Sequence, residues 1–300
     1  MKKIKFYITA ISLLFFIASI AQHKPNIVGN YSQNGASYFI QSDNTFIIVA
    51  YATLITGKWH IENNLLKLIP KNPDFPFVLY GYNNPNVKGT KIMFSGFNDD
   101  ATFIGLNGNK AIQRVFNEDA NCLGFPNVHL FSESATKISF SYGSENTETK
   151  DRKMYIFKND NNYNDFVAHY ISQSNFPEPI IFKIKGNSLK NRFNEELSRI
   201  ESLRNEDLEM IKEINKTSKM SADIVYYNPS YKYISANEIK LDKYSFNKSK
   251  NAYLLKTKQV VNNSYHDLNV LYQYSKLQNL QNFDEKKTII KKTLFHFQCK

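Results

Sequence analysis

Gly57-Lys58-Trp59-His60-Ile61-Glu62-Asn63-Asn64-Leu65-Leu66-Lys67-Leu68 is the stretch on which the fold turns. Successive side chains of an extended chain alternate between faces, so Trp59 and Ile61 share one face and His60 and Glu62 the other. Asn63-Asn64 tolerates the positive φ of a two-residue turn. Leu66 and Leu68 then resume the alternation. The stretch reads as a β-hairpin with Trp59 on its buried face.

The same punctuation continues on both sides. Upstream, Tyr38-Phe39-Ile40 leads through Ser42-Asp43-Asn44 into an apolar run over 45–51. Downstream come runs at Phe77–Tyr82, 92–97, 103–106 and 111–116, the last two separated by Asn107-Gly108, the strongest short hairpin signal in the chain. Short strands at this spacing, with no helix between them, predict an antiparallel meander. Such a sheet closes into a barrel or packs as a sandwich, because an open edge invites aggregation.

Gly29-Asn30-Tyr31, Asp43-Asn44-Thr45-Phe46, Gly57-Lys58-Trp59 and Leu66-Lys67-Leu68 together resemble a recurrent layout. It is that of the small lipocalin-like β-barrel domains of secreted Bacteroidetes proteins: a Gly-x-Tyr/Trp start, an Asp-Gly-Thr-Phe-like turn, then Gly-x-Trp/Tyr and a short apolar strand. The resemblance covers about residues 27–116, and Asn44 stands where the family usually carries a turn glycine. It implies an up-and-down barrel, with or without a ligand cavity. It implies no single activity, since the family carries none and fold does not fix function.

Residues 1–21 have the layout of a secretory signal peptide: basic Met1-Lys2-Lys3-Ile4-Lys5, an uncharged stretch over 6–20, and Ser19-Ile20-Ala21 before Gln22. The alternative is a retained anchor, but the apolar stretch falls short of the roughly 20 residues that span a bilayer. The expected mature protein starts at Gln22 and is periplasmic or secreted, with no transmembrane segment. The formal charge is +11 for the full chain; it comes from scattered lysines, so no specific nucleic-acid signature is present. Cys122 and Cys299 are the two cysteines. In an oxidising compartment they form a candidate disulfide.

From Ser188 to Thr217, apolar residues at Leu189, Phe193, Leu197, Ile200, Leu203, Leu208, Ile211 and Ile214 recur at spacings of three to five. That pattern predicts a long amphipathic helix over 188–217, capped by Ser188 and packed within the chain; a dimerising coiled coil is the alternative. Asp165 to Ile171 reads as one or two helical turns, and 268–280 fits helix and strand alike. The terminal run over 288–297 alternates as a strand. The expected fold is mainly β with one long α-helix: an antiparallel up-and-down barrel or sandwich with the helix packed against it. Its parts are a β-rich domain over 22–187, the helix, and a C-terminal β-containing segment over 218–300.

Catalytic signatures are missing: there is no GxSxG, HExxH, P-loop or GxGxxG. Of the histidines only His296 has a His or Cys within four residues, Cys299 three places on; a single such pair does not make a metal site, and no cofactor is expected. Cys122 is a better structural cysteine than nucleophile. Tyr226, Tyr227, Tyr231 and Tyr233 are dense enough to form an aromatic binding surface for a small apolar ligand or a glycan, or else a buried sheet face. The expected function is a non-enzymatic ligand-binding or interaction protein of the cell envelope. The alternative is a hydrolase of envelope or extracellular polymers.

Overall fold

The computed structural model describes residues 26–51, 53–121, 123–143, 152–219, 223–236 and 238–298. The leader over 1–21 and both Cys122 and Cys299 lie outside the described residues, and the expected disulfide with them. Two compact units form: one from residues up to 72 together with 177–216, the other from 73–176 together with 217 onward.

The first unit opens with β1 (Gly29–Gln33), β2 (Ala36–Ile40), β3 (Thr45–Ala50), β4 (Thr53–Glu62) and β5 (Leu65–Pro70). The chain then builds most of the second unit with β6 (Phe77–Tyr82), β7 (Thr90–Ser95), β8 (Thr102–Leu106), β9 (Ala111–Arg114) and β10 (Asn127–Phe131). β11 (Lys137–Tyr142), β12 (Arg152–Lys158) and β13 (Asp165–Tyr170) continue it. The first unit resumes with β14 (Ile180–Lys185), β15 (Ser188–Lys190) and β16 (Ser198–Ile200), followed by helix α1 (Asn205–Lys219). The second unit is completed by β17 (Ile224–Tyr227), β18 (Tyr233–Ser235), β19 (Tyr244–Asn247) and β20 (Ala252–Leu255). β21 (Val270–Lys276), β22 (Asn279–Glu285) and β23 (Thr288–Ile290) end it.

In the first unit the strand order is β15-β14-β5-β4-β3-β2-β1-β16, antiparallel throughout. A bridge between Lys190 and Glu196 and the bond from Leu197 N to Leu189 O, 2.9 Å, bring the two ends of the sheet together. The result is a nearly closed up-and-down barrel in which β5 and β14 are neighbours despite the long excursion between them. The opening hairpin has the expected register, Trp59 opposite Leu68 and Ile61 opposite Leu66, with Asn63 and Asn64 at φ 50° and 60°. Trp59 is half-buried and not deep in the core, because its Nε1 donates to Gln41 O at 2.9 Å and that polar edge stays near the surface.

Tyr31, Phe46, Leu66, Leu68, Phe182 and Leu189 are all buried inside the barrel. Gly57 on β4 lies where β5 crosses closest: an added Cβ would sit 2.0 Å from Ile69 O and 2.7 Å from the Phe46 ring. Gly57→Val should therefore cost at least about 1–3 kcal/mol, as forced overpacking does. A urea melt of the variant coinciding with wild type would show that β4 and β5 do not approach this closely.

The expected 188–217 helix is corrected at its first half. Leu189, Phe193 and Leu197 recur every four residues as on a helical template, but here Leu189 and Leu197 face each other across the β15–β16 hairpin, whose turn exposes Phe193. A hairpin of this length reproduces helical spacing. Ser188 caps no helix; its Oγ donates to Lys185 O in the preceding turn. Only Asn205–Lys219 is helical, and Asn215 Nδ2 donates to Gln41 Oε1 of the barrel at 3.3 Å. The boundary at 187 is corrected as well, since the barrel draws on residues from both sides of it.

The second unit holds a sheet of order β10-β7-β13-β6-β21-β17-β18, extended by β19 and β20 from β21, and a six-stranded sheet β22-β12-β11-β8-β9-β23. One face of each meets in a common core. Phe77 sits at its centre, with ring centroids of Phe140, Tyr155 and Tyr170 at 5.2, 5.2 and 4.9 Å. Residues 165–171 are not helical turns: β13 is a central strand, antiparallel to β6 and parallel to β7. The terminal segment joins this unit, with β23 parallel to β9 and Phe116 bridged to Phe295. Residues 218–300 are thus no separate domain. Among the described residues no helix is long and apolar enough to cross a membrane.

Candidate functional site

Among the described residues the barrel interior is a packed core of Tyr31, Phe46, Leu66, Leu68, Phe182 and Leu189. At its rim an open hollow of ≈ 570 Å³ is lined by Lys185, Ser188, Glu196 and Arg199. Arg199 is already engaged there, its guanidinium bonded to Val28 O and lying over the Tyr31 ring.

The second unit is richer. Alternation along β6, β7, β13, β17 and β21 sends Phe77, Leu79, Ile92, Phe94, Phe166 and Ala168 into the sandwich core. The same alternation puts Tyr80, Tyr82, Lys91, Asp165, His169, Tyr227 and Tyr274 on the opposite face. Tyrosines with buried rings and inward hydroxyls dominate that face.

Asp165 is its centre, buried at 1% exposure. One carboxylate oxygen accepts from Asn84 Nδ2 at 2.7 Å and Lys91 Nζ at 3.1 Å. The other accepts from the hydroxyls of Tyr231 at 3.3 Å and Tyr274 at 3.2 Å. Four donors match the four lone-pair positions of an ionised carboxylate. Burial, and secondarily the Asp165 charge, hold both phenols well above their ordinary pKa, so they stay protonated donors. Tyr231 has φ 60°, an uncommon conformation for a bulky residue. Its turn is fixed by the buried Asn228, whose Oδ1 accepts from Ser230 N and Lys232 N.

His169 and Tyr227 share a 2.8 Å bond between Nε2 and the hydroxyl. Burial pushes the imidazole down to about 4 and the phenol up. Both are neutral near pH 7: a weak base beside a weak acid, an arrangement suited to packing and not to nucleophile activation. Tyr80, edge-on to His169, is raised to about 12, mainly by burial.

Of the four tyrosines singled out in the sequence, Tyr227 and Tyr231 are buried on this face. Tyr226 is buried on the other side of β17 with Ile234 and Leu271, and only Tyr233 is exposed, at 49%. The four do not form one binding surface, because neighbours on a strand diverge. Asp165, Lys91, His169, Tyr80, Tyr82 and Tyr274 were not singled out. Their signal was present as the alternations Val78-Tyr80-Tyr82, Asp165-Val167-His169 and Tyr272-Tyr274.

Accessible space lies at the end of this sheet. A cleft of ≈ 790 Å³ opens where β6 begins and β21 ends, lined among others by Asp74, Phe75, Val78, Asp223, Lys276 and Gln278. Phe75 is exposed and edge-on to Tyr155 at 6.4 Å. Buried Phe77 and Leu277 form the floor. Val78 is the cross-strand partner of His169, so the cleft adjoins the tyrosine face. Among the described residues no group of three or more His, Cys, Asp or Glu side chains is placed to hold a metal. No family model, curated protein or solved structure matches the chain.

Proposed function

We propose that this is an exported binding protein of the cell envelope, whose recognition site is the cleft beside Phe75 and whose ligand is a glycan. The leader layout of residues 1–21 supports export. The observation that carries the binding site is the cleft's lining. An exposed ring gives a flat apolar platform, while two carboxylates, an ammonium and an amide surround it with donors and acceptors. Sugars present that same alternation of apolar C–H faces and hydroxyls, and sites of this size and mixture suit such ligands.

Binding is favoured over hydrolysis for a specific reason. Asp74 and Asp223 are both exposed, whereas a carboxyl that protonates a leaving group at neutral pH needs burial to keep its proton. Calorimetric titration with neutral and amino-sugar oligosaccharides should show saturable binding without release of new reducing ends. Phe75→Ala should weaken it about tenfold or more, as truncating an aromatic anchor does. It should leave the melting temperature close to wild type. Unchanged affinity in Phe75→Ala, or turnover of the oligosaccharide, would reject this reading.

A further inference from the structure

A second, smaller pocket lies elsewhere in the second unit, and its chemistry is different. β17, β18 and β21 turn Tyr226, Ile234 and Leu271 into a satellite core, with Ile239, Tyr244, Tyr253 and Leu268 packed around it. That core is incompletely filled: a pocket of ≈ 250 Å³ remains, reaching inward to Ile234 and Leu271, which are buried. Its walls are aliphatic, from Ile239, Leu255 and Leu268. Its mouth carries Lys240, which precedes the single turn Leu241–Lys243, and Lys243, the last residue of that turn.

Charge at that mouth is not balanced. Neither lysine is ion-paired among the described residues. Glu238, the carboxylate that lines the same pocket, accepts from Ser235 N at 3.3 Å, so the lining carries two ammonium groups against one carboxylate. The tyrosine in the wall is also occupied, its hydroxyl donating to Leu268 O at 3.0 Å. Gln259 also lines the pocket and is exposed, so its amide belongs with the two ammonium groups, while the buried inner wall at Ile234 and Leu271 is apolar.

We infer that this pocket binds a medium-chain aliphatic carboxylate, tail inward against Leu271 and head group at Lys240 and Lys243. The volume sets the length: it falls below the roughly 300–1,000 Å³ of pockets that hold drug-sized ligands, which leaves room for one short unbranched chain and none for a sterol or a two-chain lipid. Burying the tail supplies the affinity, and the lysine pair supplies the selectivity for an anion. This site is independent of the cleft at Phe75, and either reading can fail without the other.

The test is calorimetric titration of the full chain with hexanoate, heptanoate, octanoate and octanol. Affinity should rise about fourfold per added methylene, the equivalent of about 0.8 kcal/mol, and octanol should bind at least about tenfold more weakly than octanoate. The double variant Lys240→Gln/Lys243→Gln should lose that tenfold for octanoate while octanol binding stays unchanged; both lysines are exposed, so the fold is retained. A second variant, Leu268→Trp, fills the pocket and should abolish binding of both, with circular dichroism confirming the fold. Equal affinity for octanol and octanoate, unchanged octanoate binding in the double variant, or no binding of either by wild type would each overturn the inference.

Discussion

Replacing Asp165 by alanine should destabilise the second unit by about 3–5 kcal/mol, the cost of removing one partner from a buried charge pair. The reason is what remains behind. Lys91 Nζ loses its counter-charge, and the hydroxyls of Tyr231 and Tyr274 and the amide of Asn84 lose their acceptor together. These donors come from β7, β21, the turn after β17 and the loop after β6, so one carboxylate ties four segments to β13. Set against a typical domain stability of about 5–15 kcal/mol, the loss is large. Asp165→Asn keeps the shape and one acceptor oxygen, and should fall between wild type and alanine. Pairing Asp165→Leu with Lys91→Met should recover part of the loss, since a buried ion pair exchanged for apolar packing is often tolerated. Urea denaturation followed by tyrosine fluorescence measures all three. A loss under about 1 kcal/mol in Asp165→Ala, the scale of a solvated ion pair, would mean that the carboxylate is not enclosed.

The second large effect is acid destabilisation through His169. Its folded-state pKa is depressed to about 4 by burial, against roughly 6.5 in an unfolded chain. The unfolded state therefore takes up the proton first. Stability is complete above the unfolded value, falls as pH drops from about 6.5 towards 4, and flattens below. The full difference is about 3 kcal/mol at 1.36 kcal/mol per pKa unit. His129, half-buried against Phe131, is lowered in the same direction, so wild type alone overstates the term. The comparison that isolates it is His169→Gln, which keeps a hydrogen bond to Tyr227 and cannot titrate. Denaturant midpoints of wild type and variant should converge at pH 4.5 relative to their separation at pH 7.5. Parallel pH profiles would show that His169 is solvated.

The hairpins were legible because they are local. Trp59 opposite Leu68, the Asn63-Asn64 turn, and the Asn107-Gly108 turn with φ 53° and 74° each follow from a few adjacent residues. Which sheet a strand joins is not local. The runs at Phe77–Tyr82 and Thr102–Leu106 read as continuations of the meander, yet they build a different unit, and the barrel's sixth strand is Ile180–Lys185. Periodicity identifies strands and is silent on partners. It also misled at Leu189 and Leu197, where a hairpin reproduces helical spacing. The tyrosine face escaped for a related reason. Asp165 is separated in sequence from Asn84, Lys91, Tyr231 and Tyr274, and single residues on alternating strands carry no local motif. The cleft lining, drawn from loop and strand ends, has even less of a signature.

The interruption of the barrel bears on how the chain reaches its native state. Strands β1 to β5 are synthesised first, but the outer edge of β5 waits for Phe182 and its neighbours until everything from 73 to 176 has followed. During that interval a five-stranded sheet with apolar Leu66 and Leu68 presents unpaired backbone on both margins. Pairings between residues so far apart in sequence form late. The rate of acquiring the native state is then set by ring closure, and the intermediate that precedes it is the species most exposed to association with other chains. For such a molecule a holding factor would act on the N-terminal half-ring, at the edge where β14 will finally add.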